Sequence, residues 1–220
     1  MKNVIFEDGT KILSETDNDE EILCKFTDDL VDARGHAKGS IKNKAAINAT
    51  IAVYIYKLLN SYHVPTHFKS EKSTKELILK KIDAFPFRIA VTNETPDDGR
   101  TIPDLKFQKV TDGQLTDVSE KDIIDEELLF EDEMTDVRRS ALKINVVLLN
   151  FFERRGLELL GFWTQLGYAN GKLVVCNEFT PDTFDVKEAG SRIKFTTTYL
   201  LSHLDNADEL YEELHQRILS

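Results

Sequence analysis

Cysteine is scarce in this chain of 220 residues: Cys24 and Cys176 are the only two, and each lies in an apolar run. That excludes a disulfide framework, and no Cys-x-x-Cys or Cys/His ligand spacing points to a metal cluster. Two buried, reduced thiols are expected. Long apolar runs are also missing. No stretch reaches membrane-spanning length, and the opening MKNVIFEDGTK has no apolar signal core. A cytoplasmic chain that engages no membrane is expected. Positive charge is short, with 28 Lys and Arg against 39 Asp and Glu, a net charge of −11. Such a surface repels phosphate backbones, so no nucleic-acid partner is expected. Tryptophan occurs once, and neither repeats nor low-complexity linkers divide the chain. With 41% hydrophobic residues, the length suits one sizeable core or two small lobes sharing one. Oligomeric state is not legible, and a homo-oligomer is left open.

Alternation and turn residues predict the elements that are present. Residues 4–30 read as a strand meander, with turns at Asp8-Gly9 and at Thr16 to Asp19. Ile47, Ile51, Ile55, Leu58 and Leu59 fall at helical spacing within a helix over 44–61. Residues 76–91 read as two strands joined near 84–86. A second helix, near 134–155, carries Val137, Ala141, Ile144 and Leu148 inward and stops at Gly156. Residues 159–166 and 172–178 read as a hairpin around Asn170-Gly171, the strongest short hairpin signal. A last helix, near 206–219, starts with Asn206 and Glu209 at capping-box spacing, and Leu210, Leu214 and Ile218 form its stripe. Residues 117–122 read as a charged loop. His67 reads as a structural histidine in a packing turn.

The hairpin ends in Asn177-Glu178-Phe179-Thr180-Pro181-Asp182-Thr183, where polar side chains crowd beside a proline. This run resembles the Glu-Ile-Ser-Pro-Asp-Thr signature of the SAICAR synthetase family. Val64-Pro65-Thr66-His67-Phe68 is similar to that family's Ile-Pro-Thr-His-Phe, and residues 76–91 are similar to its Lys-Lys-containing strand pair. The resemblance spans about residues 4–200. It implies an α+β, two-lobed fold. An N-terminal antiparallel, ATP-clamping lobe would occupy 1–83, and a C-terminal α+β substrate lobe 84–220. It also implies an ATP-dependent carboxylate–amine ligase of purine biosynthesis, which joins aspartate to a carboxylated aminoimidazole ribotide with ATP and magnesium.

Carried over position by position, the resemblance marks Lys11, Lys44, Lys80, Lys81, Ile82 and Asp83 for ATP, and Glu178 and Asp182 for catalysis. Glu120, Asp122 and Arg100 fall where the family handles its substrates. A lysine beside a cleft neutralises phosphate as a point charge. The departures are chemical. The family's magnesium-binding carboxylates are Gln165 and Asn177 here, which leaves Glu178 and Asp182 as the carboxylates for a shifted ion. A family lysine is Trp163, the glycines flanking Lys44 are Asn43 and Ala45, and the arginine closing the signature is Asp185. The phosphate-binding arginines are Thr92, Thr196 and Thr197. The residues therefore leave three readings: a divergent ligase acting on small molecules, with altered substrate or reduced activity; a pseudoenzyme that keeps the fold as a nucleotide- or protein-binding module; or a structural or interaction protein that binds no nucleotide.

Overall fold

The computed structural model describes residues 3–32, 35–94, 102–111 and 114–220. The chain opens with a meander of β1 (Val4–Glu7), β2 (Lys11–Glu15) and β3 (Glu21–Phe26), turning at the two places where the turn residues cluster. A short pair, β4 (Asp29–Val31) and β5 (Ala37–Ser40), leads into α1 (Lys44–Ser61). Then β6 (Phe68–Ser73) and β7 (Glu76–Lys80) complete a five-stranded antiparallel sheet of order β1-β2-β3-β7-β6.

The chain crosses to the second half through β8 (Asp83–Ala84). Next come β9 (Arg88–Glu94), β10 (Ile102–Thr111), β11 (Gln114–Val118), α2 (Glu120–Asp125) and the long α3 (Glu131–Glu153). The predicted hairpin follows as β12 (Leu157–Thr164), β13 (Leu166–Ala169) and β14 (Lys172–Val175). The chain ends with β15 (Phe184–Glu188), α4 (Thr197–Leu201) and α5 (Ala207–Leu219). The second sheet has order β11-β10-β9-β12-β15, and a third joins β14-β13-β8.

Two cores meet on α1. Its isoleucines Ile47, Ile51 and Ile55, with Leu59, enter the larger one beside α3 and the second sheet. Ala45, Ala49, Ala52, Val53 and Tyr56 enter the smaller one, against Cys24, Phe26, Leu77 and Leu79. A helix apolar on two sides cannot remain at a surface, so it binds the halves together. Each fully buried leucine or isoleucine contributes about 1.5–3 kcal/mol.

Three expectations change. The apolar run 159–166 is two strands rather than one. Gln165 breaks it, because its backbone N–H goes to the Asn177 side chain (2.8 Å) instead of a neighbouring strand. Gly167 on β13 then lies so close to β8 that a Cβ would sit 2.3 Å from the Asp83 carbonyl. Residues 119–125 are not loop. Ser119 and Asp122 cap each other reciprocally and start α2. The capping box at Asn206 does not form. α5 starts at Ala207, Asn206 makes no side-chain cap, and Tyr211 joins Leu214 and Ile218 in the buried stripe while Leu210 is half-buried. The Asn170-Gly171 turn is as expected, both residues having positive φ. The helix over 44–61 is also as expected.

Candidate functional site

The signature segment is held rigidly from within. Thr183 accepts a hydrogen bond from the backbone of Thr180 (2.9 Å) and donates to the carbonyl of Glu178 (3.0 Å). Asn177 spends its whole side chain on the frame. Its Oδ1 accepts from Thr164 Oγ1 (2.9 Å) and Gln165 N (2.8 Å), and its Nδ2 donates to the carbonyls of Glu178 (2.7 Å) and Trp163 (3.3 Å). Gln165 donates through Nε2 to the Phe85 carbonyl (2.8 Å). Tyr56 donates to the Asn177 carbonyl (3.2 Å) and lies 2.9 Å from Nε2 of His67. Burial, with Lys11 nearby, pushes the His67 pKa down to about 3, so the ring is neutral. His67 is structural, as its turn suggested.

Two lysines from the N-terminal half reach this frame. At the β1–β2 turn, Asp8 Oδ1 accepts from the backbone of Thr10 (2.9 Å) and Lys11 (3.1 Å), with Gly9 at φ 83°. That turn aims Lys11 Nζ at Glu178 Oε1, 2.6 Å away and buried, with Asp8 Oδ2 at 3.4 Å. Burial works against the lysine's charge, but the Glu178 and Asp8 carboxylates outweigh it and raise its pKa. Lys44, the first residue of α1, is fully buried and holds Asp182 at 2.5 Å. One turn on, Asn48 Nδ2 donates to the same Asp182 oxygen (2.7 Å), and Tyr211 donates to Asn48 Oδ1 (2.6 Å). Asn43 takes the left-handed conformation before the helix, at φ 62°. Asparagine tolerates that region, so the conformation a glycine would supply there is retained.

The other expected positions lie elsewhere. Lys80, Lys81, Ile82 and Asp83 form the crossing between the sheets. Lys80, Lys81 and Asp83 are exposed, Ile82 is half-buried, and Lys81 N donates to the Glu20 carbonyl (2.8 Å). Lys80 pairs with Glu21 at the opposite end of the sheet from Lys11, which pairs with Phe26. Glu120 pairs with Arg138, and Asp122 caps α2. Both carboxylates are thus engaged in holding the start of α2. Arg100 lies outside the described residues.

Beyond Asp182 opens a cavity of about 810 Å³, between the outer face of β9-β12-β15 and α4. Strand alternation puts Ile89 and Val91 in the core and turns Arg88, Ala90 and Thr92 to this cavity. Thr92, Gly161 and Asp185 align across three strands. The Trp163 ring is approached by Arg88, whose Cζ is 5.2 Å from the centroid, and by Lys11, whose Nζ is 5.7 Å away. Arg88 also donates through Nε to Gln108 (3.1 Å), and burial lowers its pKa. Burial raises the pKa of Asp185, and Lys194 opposes that. The period-2 pattern of 88–92 was the available signal for Arg88. Asn48 falls on the first of the family's paired asparagines, whereas Tyr211 gave no local signal, since its partner is remote in sequence.

The donor chemistry does not fit a protein-built magnesium cage. Gln165 and Asn177 are spent on internal hydrogen bonds, and Glu178 and Asp182 each carry a lysine. Hard cations need carboxylate or carbonyl oxygens that are free to turn toward them.

The SAICAR synthetase family model matches residues 7–95 and 101–217. The phosphoribosylaminoimidazole-succinocarboxamide synthase of Clostridium kluyveri is 26% identical over 227 residues, covering 98% of this chain and 97% of that one. Among solved structures, the same synthase from Ehrlichia chaffeensis superposes with a TM-score of 0.89 at 24% identity, covering 99% of this chain and 98% of its own. A SAICAR synthetase in complex with ADP gives 0.88 at 24%, covering 98% and 97%. Matched along nearly its whole length, the chain belongs to the SAICAR synthetase family.

Proposed function

We propose that the chain is an ATP-dependent ligase that joins a carboxylate to an amine in purine-type metabolism, with an acceptor that departs from the family's usual one. The observation that supports this most is the meeting of Lys11 and Lys44, from the N-terminal half, on Glu178 and Asp182, the last of which lines the cavity. Phosphoryl transfer needs positioned positive charge more than covalent help from the protein. The nucleotide would lie from the crossing at 80–83 to Lys11, with its last phosphate facing the cavity. A SAICAR synthetase of this fold solved in complex with ADP supports nucleotide binding as such.

In the reaction, a substrate carboxylate oxygen attacks the terminal phosphorus and the bond to the ADP oxygen breaks. The amine nitrogen then attacks the acyl carbon and gives up a proton, and inorganic phosphate leaves with that oxygen. Lys11 would face the charge on the moving phosphoryl group, while Lys44, fully buried, would hold Asp182 in place. No step is assigned to magnesium.

One observation favours the second reading, a nucleotide-binding pseudoenzyme: Gln165 and Asn177 are locked into the frame. Calorimetric titration with ATP, with and without magnesium, followed by an assay for ADP formation, separates the readings. Binding with ADP formed when carboxylate and amine are supplied supports the ligase. Binding without ADP formation supports the pseudoenzyme.

A further inference from the structure

We propose that the cavity takes an unphosphorylated, hydroxylated carboxylic acid, its carboxylate on Arg88 and its neutral hydroxyl end over Gly161 between Thr92 and Asp185. The inference rests on the ligase reading for the identity of the reacting carboxylate, but the binding preference stands on the cavity alone.

The argument starts from which groups have partners. Asp182 is satisfied by Lys44 and Asn48. Asp185 is different. No hydrogen bond or ion pair to a described residue engages its carboxylate, and Lys194 acts on it only through space. The Thr92, Thr197 and Thr198 hydroxyls on the same cavity have no described partner either. Ionised carboxylates and idle hydroxyls are matched by a ligand's O–H groups.

Charge gives the sign. Among the described residues the charged groups lining the cavity are Arg88, Lys194, Asp182 and Asp185, and Asp182 is already paired with Lys44. A phosphate placed over Gly161 would face the Asp185 carboxylate at one strand's remove, since Gly161 and Asp185 are register partners. A hydroxyl there would instead donate to it.

Register gives the direction. Arg88 and Lys11 approach one indole, so Arg88 marks the end of the cavity nearest the phosphoryl site. Its Nε is fixed by Gln108, and its terminal nitrogens have no described partner, a fork suited to a carboxylate. Thr92 is four residues further along β9, about 13 Å away along a strand. Gly161 has no side chain to block the space between Thr92 and Asp185, and a Cβ there would sit 2.7 Å from the Val91 carbonyl. An elongated molecule with a carboxylate at one end and hydroxyls at the other fits this spacing.

Trp163 is the only tryptophan of the chain and lines the cavity, so its fluorescence reports ligands directly. The test titrates the full chain with 5-amino-1-ribosylimidazole-4-carboxylate and, separately, with its 5′-monophosphate, with calorimetry as a second readout. The nucleoside is expected to bind at least tenfold more tightly. Asp185→Asn should narrow that ratio, and Asp185→Lys should reverse it. Tighter binding of the monophosphate to the unaltered protein, an unchanged ratio in Asp185→Asn, or no binding of either probe overturns the proposal. Neither titration needs ATP. If ADP formation fails while the preference holds, the ligase reading falls and the cavity assignment remains.

Discussion

The junction at Glu178–Asp182 and the cavity beside it are built from similar residues but differ in how those residues are engaged. At the junction, Lys11, Lys44, Asn48 and Asn177 all have partners within the chain. In the cavity, Asp185, Thr92 and Thr197 have none among the described residues, and Arg88 keeps its fork unspent. Polar groups that satisfy one another fix geometry. Polar groups left facing a cavity select what enters it. The same contrast separates stability from specificity, and substitutions should sort accordingly.

The largest loss of stability is expected at Lys44. Lys44→Met strands a nearly buried Asp182, and removing one member of such a pair costs about 3–5 kcal/mol. Urea unfolding measures this, and a second substitution, Asp182→Leu, should recover part of the loss. Next is Asn177→Asp. A carboxylate there would turn an oxygen toward the carbonyls of Trp163 and Glu178, where the amide donates. The expected cost is about 3 kcal/mol. If magnesium restored that loss in a thermal melt, the junction would be a latent metal site rather than a frame, and the contrast would blur.

A pH effect follows from His67. Its folded pKa, about 3, is below the ordinary value of 6.5. The stability linked to its neutral form is therefore full above 6.5 and is lost as pH falls from 6.5 toward 3. The slope is at most about 1.4 kcal/mol per pH unit for one proton. Unfolding measured across that range should show the slope, and His67→Gln should flatten it. The smallest effect on stability belongs to the cavity. Thr92→Val should change stability by less than about 0.5 kcal/mol while weakening the acceptor, read as a rise in KM with kcat little changed.

The fold was largely legible before the structure. Alternation and turn residues placed the meander, α1 and the Asn170-Gly171 turn, because those signals are local. The split of 157–169 into two strands was not legible, since it depends on Asn177 taking the Gln165 N–H from twelve residues away. For the same reason the resemblance could mark Gln165 and Asn177 as departures but not show what they do instead. Lys11, Lys44, Glu178 and Asp182 were singled out one by one, and the fold brings them together. Lys80 to Asp83 form a crossing at the other end of the sheet, and Glu120 and Asp122 hold α2. The cavity was missed because Arg88, Gly161 and Asp185 come from three strands that only the sheet order aligns.

The most direct test of the account is ADP release by the purified chain. ATP, the unphosphorylated aminoimidazole carboxylate and aspartate would be supplied together and with each one left out in turn. The account predicts ADP only when all three are present, and its loss in Lys11→Met. ATP bound with no ADP formed under any combination would contradict it.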